Sequence, residues 1–136
     1  LERRLFRGEL QVDDLPEAWD ASYQELLGVR APSAADGVLQ DIHWAMGAFG
    51  YFPTYTLGNL IAAQLFQAAE QDISDLEGCL SRGEFGPLLD WLRGQVHQHG
   101  KLHTADELVR SATGSALSPA AFLRSLRATA AQVYGI

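Results

Sequence analysis

Cysteine, methionine and lysine each occur once in these 136 residues, and each scarcity excludes something. A lone Cys79 forms no internal disulfide, so the cysteine count does not require an oxidising compartment. Cys79 follows Gly78 in a helical neighbourhood and reads as a small buried hydrophobe; a nucleophilic thiol would need a placed base. Basic residues number 10 against 17 acidic ones, a net charge of −7, and all but Lys101 are arginine. Phosphate-tracking and anionic-membrane surfaces need a basic face, so neither nucleic acid nor a membrane is an expected partner. No apolar run approaches the ~20 residues that span a bilayer. No cationic segment leads into an apolar one as in a secretion signal, and the expected location is the cytoplasm. The chain starts at Leu1 and its sole methionine is Met46, so the expectation is a trimmed chain or one that begins inside a longer sequence.

What is present is ordinary globular material, 47% hydrophobic and 20% charged. A chain of this size should bury roughly two thirds of its unfolded surface. Neither a repeat nor a Gly/Ser linker divides it, so one helical domain over residues 1–136 is expected. Strand signals are weak, and the periodicity predicts an all-α fold of about six helices. Leu1, Leu5 and Phe6 keep helical spacing. Asp14 and Pro16 start a helix carrying Leu15, Trp19, Tyr23, Leu26 and Leu27, and Gly28 caps it. Pro53 opens a stripe of Leu57, Leu60, Ile61, Gln64, Leu65 and Ala68 that reaches Asp72 or beyond, with Ile73, Leu76 and Leu80 continuing the period. Phe85 to Val96 forms the next helix, ended by Gly100. Thr104 and Glu107 have capping-box spacing before a helix that stops at Gly114. Ser118-Pro119 opens the last helix, with Gly135 beyond its end.

HExxH, CxxC, a phosphate-binding glycine loop and Gly-x-Ser-x-Gly are all missing. His97, His99 and His103 are close in sequence, but residues two apart on a helix point to different sides, so they read as a solvated helix end and not as a metal centre. Glu70, Asp72, Asp75 and Glu77 read as a solvated acidic face. The chemically unusual stretch is Gly37 to Tyr55, where aromatics, glycines and polar groups mix without a helical period. Asp41 and His43 lie two apart, before Trp44. A carboxylate can set an imidazole's tautomer, and the imidazole can donate to an oxyanion or move a proton. Equally, Asp41 could cap a helix and His43 could be a satisfied donor in a core turn.

Gly37-Val38-Leu39-Gln40-Asp41-Ile42-His43-Trp44 fits a GxxQDxHW pattern and resembles the M32 metallocarboxypeptidases, the carboxypeptidase Taq family. Similarity extends through Phe49-Gly50-Tyr51-Phe52-Pro53-Thr54-Tyr55-Thr56-Leu57-Gly58-Asn59, and to Asp14-Leu15-Pro16 with Trp19. It also takes in Gly83-Glu84-Phe85 with Trp91-Leu92, Ala112-Thr113-Gly114 and the closing Val133-Tyr134-Gly135. Members are several times longer, and their zinc-binding HExxH helix, third Glu ligand and arginine-bearing substrate motif precede this region. The resemblance therefore implies the C-terminal portion of a larger helical metallopeptidase fold. The implied reaction is hydrolysis of the last peptide bond of a peptide, with a divalent metal, zinc or cobalt, in the complete enzyme and none held by this chain, which alone is expected to be inactive. The implied catalytic residue is His43, for the oxyanion or for orienting substrate. Gln40, Asp41, Trp44, Tyr51 and Tyr55 are the implied substrate-binding residues, with Gln40 and Asp41 positioning His43 and Trp44 packing the cleft wall. Arg30 is the nearest cation, but nothing in the motif selects it. The expected partners are a peptide substrate and either an N-terminal portion as a separate chain or a second copy in a homodimer. The alternative is a truncated, non-catalytic helical interaction or regulatory domain. A large apolar outer patch would favour the first reading and a polar or dimer-buried face the second.

Overall fold

Glycine, proline and one capping threonine set most of the helix boundaries. The computed structural model describes residues 1–136 and contains seven α-helices and no strand. They are α1 (Glu2–Phe6), α2 (Leu15–Leu27), α3 (Pro53–Asp72), α4 (Leu76–Ser81), α5 (Gly86–Gln95), α6 (Ala105–Thr113) and α7 (Ala120–Tyr134), with a 3₁₀ turn at His97–His99. Gly28 and Gly114 close α2 and α6 in the left-handed conformation, at φ 72° and 71°. There they donate to the carbonyls of Gln24 and Arg110, four residues back. Thr104 and Glu107 form the expected capping box: the Thr104 hydroxyl accepts from Glu107 N, and the Glu107 carboxylate accepts from Thr104 N at 2.8 Å.

Seven helices replace about six because the long pattern after Pro53 breaks. Asp75 adopts φ 57°, which a right-handed helix cannot contain, so α4 separates from α3 although Leu76 and Leu80 keep its spacing. The histidine-bearing end of α5 also departs from the α-helix. Val96 turns to φ −127°, and His97–His99 continue as the tighter 3₁₀ form. No helix is long and apolar enough to cross a membrane.

Contacts gather the chain into two compact units, Leu1–Pro53 and Thr54–Ile136. In the first, Leu10 and Val38 are buried, and a partly exposed aromatic cluster lies in the same unit. Trp19 stacks on Tyr23 and meets Trp44 edge-on, while Trp44 stacks on Phe49, whose edge contacts Phe6. In the second, Ala69, Leu76, Val109 and Ala121 are buried, and so is the polar side chain of Gln64. Its amide nitrogen is shared among Thr113 Oγ1, Ser115 Oγ and Ala116 O at 3.0–3.1 Å, and its oxygen accepts from Ser118 N at 3.0 Å. One glutamine of α3 thus satisfies the backbone that links α6 to α7.

Burial is less than composition predicts. The chain exposes 9742 Å², against ~7,000 Å² for a compact monomer of this mass, so it buries roughly 55% of its unfolded surface and not two thirds. Twenty-three large apolar side chains remain more than a third exposed, among them Leu26 and Leu27 on α2 and Val133 and Tyr134 on α7. Cys79 is half-buried, with the Arg82 guanidinium 3.6 Å from its sulfur, and not the buried hydrophobe that its neighbours imply. The reason is that α4 is only six residues long and Arg82 folds back over it. Glu70, Asp72, Asp75 and Glu77 are all exposed, as a solvated face requires.

Candidate functional site

The segment from Gly37 to Phe52 folds as successive turns. Gly37 is buried, and a Cβ there would lie 2.9 Å from Ala31 Cβ and 3.5 Å from Trp19 Cδ1. Close approach, not a special φ, is what demands glycine at this position. Gln40 N then donates to Gly37 O at 3.0 Å, and the chain turns into Asp41.

Asp41 has two jobs. Its Oδ2 accepts from the backbone N–H groups of His43 and Trp44 at 3.0 and 3.3 Å, which caps the turn over 42–46. Its Oδ1 lies 2.5 Å from His43 Nδ1. The side chains are mostly buried, 15% exposed for Asp41 and 21% for His43. Burial pushes the Asp41 carboxyl up, but the ring of His43 and the two backbone donors outweigh it and hold the group below its ordinary value of 3.8. Asp41 is therefore an ionised acceptor at neutral pH, and His43 Nδ1 carries the donated proton. The remaining ring nitrogen, Nε2, is the atom whose protonation distinguishes the neutral ring from the imidazolium.

Tyr51 stacks against His43 with ring centroids 5.4 Å apart, and Phe52 lies 4.9 Å away at a tilt. Trp44 points instead into the cluster of Trp19 and Phe49, so adjacent residues of the motif serve a polar site and an apolar brace. Of the residues singled out from sequence, the fold brings together Asp41, His43 and Tyr51, with Trp44 behind them. Gln40 is exposed and makes no hydrogen bond to His43; it lines an open groove of about 380 Å³ with Trp19, Tyr23, Arg30 and Gly37. Tyr55 lies in the first turn of α3, in the second unit, and is half exposed.

Sequence reasoning missed Glu2. Its Oε1 accepts from the Trp44 indole N–H at 2.7 Å, and its Oε2 accepts from Gly50 N at 2.9 Å. Neither contact has a local sequence signal, because the partners are more than forty residues away. Phe52 as a neighbour of His43 was equally unmarked, beyond its place in an aromatic run.

The donor set does not fit a metal. No three His, Cys, Asp or Glu side chains converge on one point. His99, in the 3₁₀ turn after α5, and His103, in the loop before α6, approach to 5.4 Å between ring centroids without a third ligand.

Comparison with known proteins bears on this arrangement. A family model described as carboxypeptidase Taq (M32) metallopeptidase matches residues 1–130. Thermostable carboxypeptidase 1 of Thermus thermophilus is 53% identical over 135 residues, covering 99% of this chain and 26% of that protein. Carboxypeptidase 1 of Bacillus subtilis is 44% identical, covering 87% and 24%. The crystal structure of the M32 carboxypeptidase from Deinococcus radiodurans R1 matches with a TM-score of 0.93 at 44% identity, over 99% of this chain and 27% of that one. Metallocarboxypeptidase 1 of Trypanosoma cruzi matches at a TM-score of 0.87 and 36% identity, over 93% and 27%. The chain thus spans about a quarter of the length of the curated relatives it matches. Agreement of sequence and backbone along nearly every residue establishes that the chain belongs to the M32, carboxypeptidase Taq family of metallopeptidases and corresponds to its C-terminal portion.

Proposed function

We propose that the complete protein containing this chain is a metal-dependent carboxypeptidase that hydrolyses the last peptide bond of peptides, and that this chain supplies a wall of its substrate cleft. The observation that carries the proposal is the Asp41–His43 pair, a charge-assisted contact at 2.5 Å within the segment the family model matches. With Nδ1 donating to Asp41, the neutral ring offers Nε2 as an acceptor and the imidazolium offers it as a donor. As donor, His43 stabilises the oxyanion of the tetrahedral intermediate; as acceptor, it orients a substrate N–H. Tyr51, stacked on that ring, and Tyr55 supply phenolic donors for the substrate's backbone or terminal carboxylate. Gln40 offers its amide from the neighbouring groove, and Trp44 packs the wall from behind.

The divalent metal of the family, zinc or cobalt, has no ligand set among these residues. In this reading the metal is held by the rest of the protein, and this chain alone is inactive. In this reading the partners are a peptide substrate and the N-terminal portion as a separate chain, or a second copy in a homodimer, in the cytoplasm. The exposed apolar side chains of α2 and α7 support a chain that packs on further protein, and weigh against a truncated interaction or regulatory domain standing alone.

The test is metal-dependent release of C-terminal residues from a peptide by the complete protein and its His43→Ala variant. Loss of an oxyanion donor should lower kcat by roughly 10²–10³-fold while circular dichroism stays that of the parent. A variant as active as the parent, or a complete protein that releases no C-terminal residue, overturns the proposal.

A further inference from the structure

We propose that Glu2 is a positioning residue for the His43–Tyr51 pair, holding the two ends of the loop between them at a set separation. The inference rests on the reading of His43 as a cleft residue. Trp44 directly follows His43, and Gly50 directly precedes Tyr51. The single Glu2 carboxylate accepts from the Trp44 indole N–H at 2.7 Å and from the Gly50 amide at 2.9 Å, so it bridges the residues that flank both members of the pair.

The loop's backbone hydrogen bonds gather its first half. Ala48 N donates to His43 O at 2.8 Å and Gly47 N to Trp44 O at 3.0 Å. Gly47 and Gly50 both take positive φ, at 74° and 73°, so the chain turns sharply twice before it reaches Tyr51. Glu2 closes that span from outside, and the edge contact of Phe6 on Phe49 seats α1 beside it.

The chemistry is specific to glutamate. Two donors face the carboxylate, and only a carboxylate offers an acceptor to each. A glutamine must set its NH₂ against one of the two N–H groups. An aspartate is one methylene shorter and cannot reach both donors from the same backbone. The role is therefore geometric: Glu2 does not touch substrate, but it sets how His43 and Tyr51 present themselves to it.

The experiment compares Glu2→Gln with His43→Ala in the complete enzyme, reading kcat and KM on a peptide substrate and the ¹⁵N–¹H indole resonance of Trp44. Misplacement of reacting groups by about an ångström costs up to ~10²-fold. The expected result is a kcat lowered about tenfold or more, a KM within about twofold because the loss is in the transition state, and a shifted Trp44 resonance. A purely structural brace would lower the melting temperature and leave kcat untouched. If Glu2→Gln shifts the resonance at parental kcat while His43→Ala has lost activity, the Glu2 inference fails and the cleft reading stands. If His43→Ala keeps parental kcat, the cleft reading fails and takes the inference with it. Should Glu2→Gln not fold, Trp44→Phe carries the same test, since it removes one donor and leaves the carboxylate on Gly50; an unchanged kcat there overturns the inference.

Discussion

The turn after Asp41 and the helix after Thr104 begin with the same device and end differently. In each, a side-chain oxygen accepts backbone N–H groups two or three residues ahead. After Thr104 the chain continues into α6, whose Val109 is buried, and the capping glutamate accepts from the Thr104 backbone N–H and hydroxyl. After Asp41 the backbone curls at Gly47 and Gly50, and no regular helix follows. The second carboxylate oxygen of Asp41 is then available to hold the His43 ring. A capping hydroxyl has a single oxygen for the task; a capping carboxylate has one to spare, and that spare oxygen turns a helix-start device into the support of a candidate site.

The comparison breaks most sharply at Asp41→Asn. Asparagine caps as well as aspartate, so the turn should persist. Its NH₂ would donate to Nδ1, which forces the opposite tautomer on His43. The expected loss in kcat/KM of the complete enzyme is on the order of tenfold to a hundredfold, the usual cost of removing a carboxylate that orients an imidazole. Unchanged peptide hydrolysis would separate Asp41 from the chemistry.

Gly37→Ala attacks the other support of the same turn. The added methyl falls 2.9 Å from Ala31 Cβ, and overpacking of this kind costs about 1–3 kcal/mol. Thermal unfolding of the complete protein should report it, with His43 activity falling alongside. Thr104→Ala should cost about 1 kcal/mol, confined to α6 and visible as faster amide exchange from Ala105 to Val109, with peptide hydrolysis unaltered. If the two substitutions disturb activity equally, the contrast between the regions is wrong.

Acidification gives the smallest effect and treats both devices alike. Asp41 is held below 3.8 as described, and Glu107 below 4.5 by the Thr104 backbone N–H and hydroxyl. A carboxylate whose pKa is lowered on folding contributes stability that is complete above its ordinary value and fades as pH falls through the lowered one. Between pH 7 and 5 neither turn should change; below about pH 4 both should loosen, as followed by the Trp44 and Glu107 amide signals.

Legibility in the sequence followed the range of each interaction. Gly28, Gly114, Pro53 and the Thr104–Glu107 box act on neighbours within one turn, so they could be read from spacing. The Asp41–His43 pair spans two residues and was legible as an open alternative; the structure shows that capping and ring-holding coexist. The break at Asp75 was not legible, because Ile73, Leu76 and Leu80 keep helical spacing on both sides of it. Glu2 was invisible for the opposite reason: its partners are 42 and 48 residues away, and nothing in an acidic residue near a short helix names an indole.

By itself, the sequence determined the all-α class, most helix ends and the family, because capping, periodicity and a long motif are all local patterns. Tertiary structure alone decided which way His43 and Trp44 face, that Tyr51 stacks on the imidazole, and that Glu2 ties the ends of their loop. The physical reason is that a stack or a bridging carboxylate depends on where distant backbone is brought, and that placement goes with the ring contacts that join Trp19, Trp44 and Phe49, which no single stretch of sequence specifies.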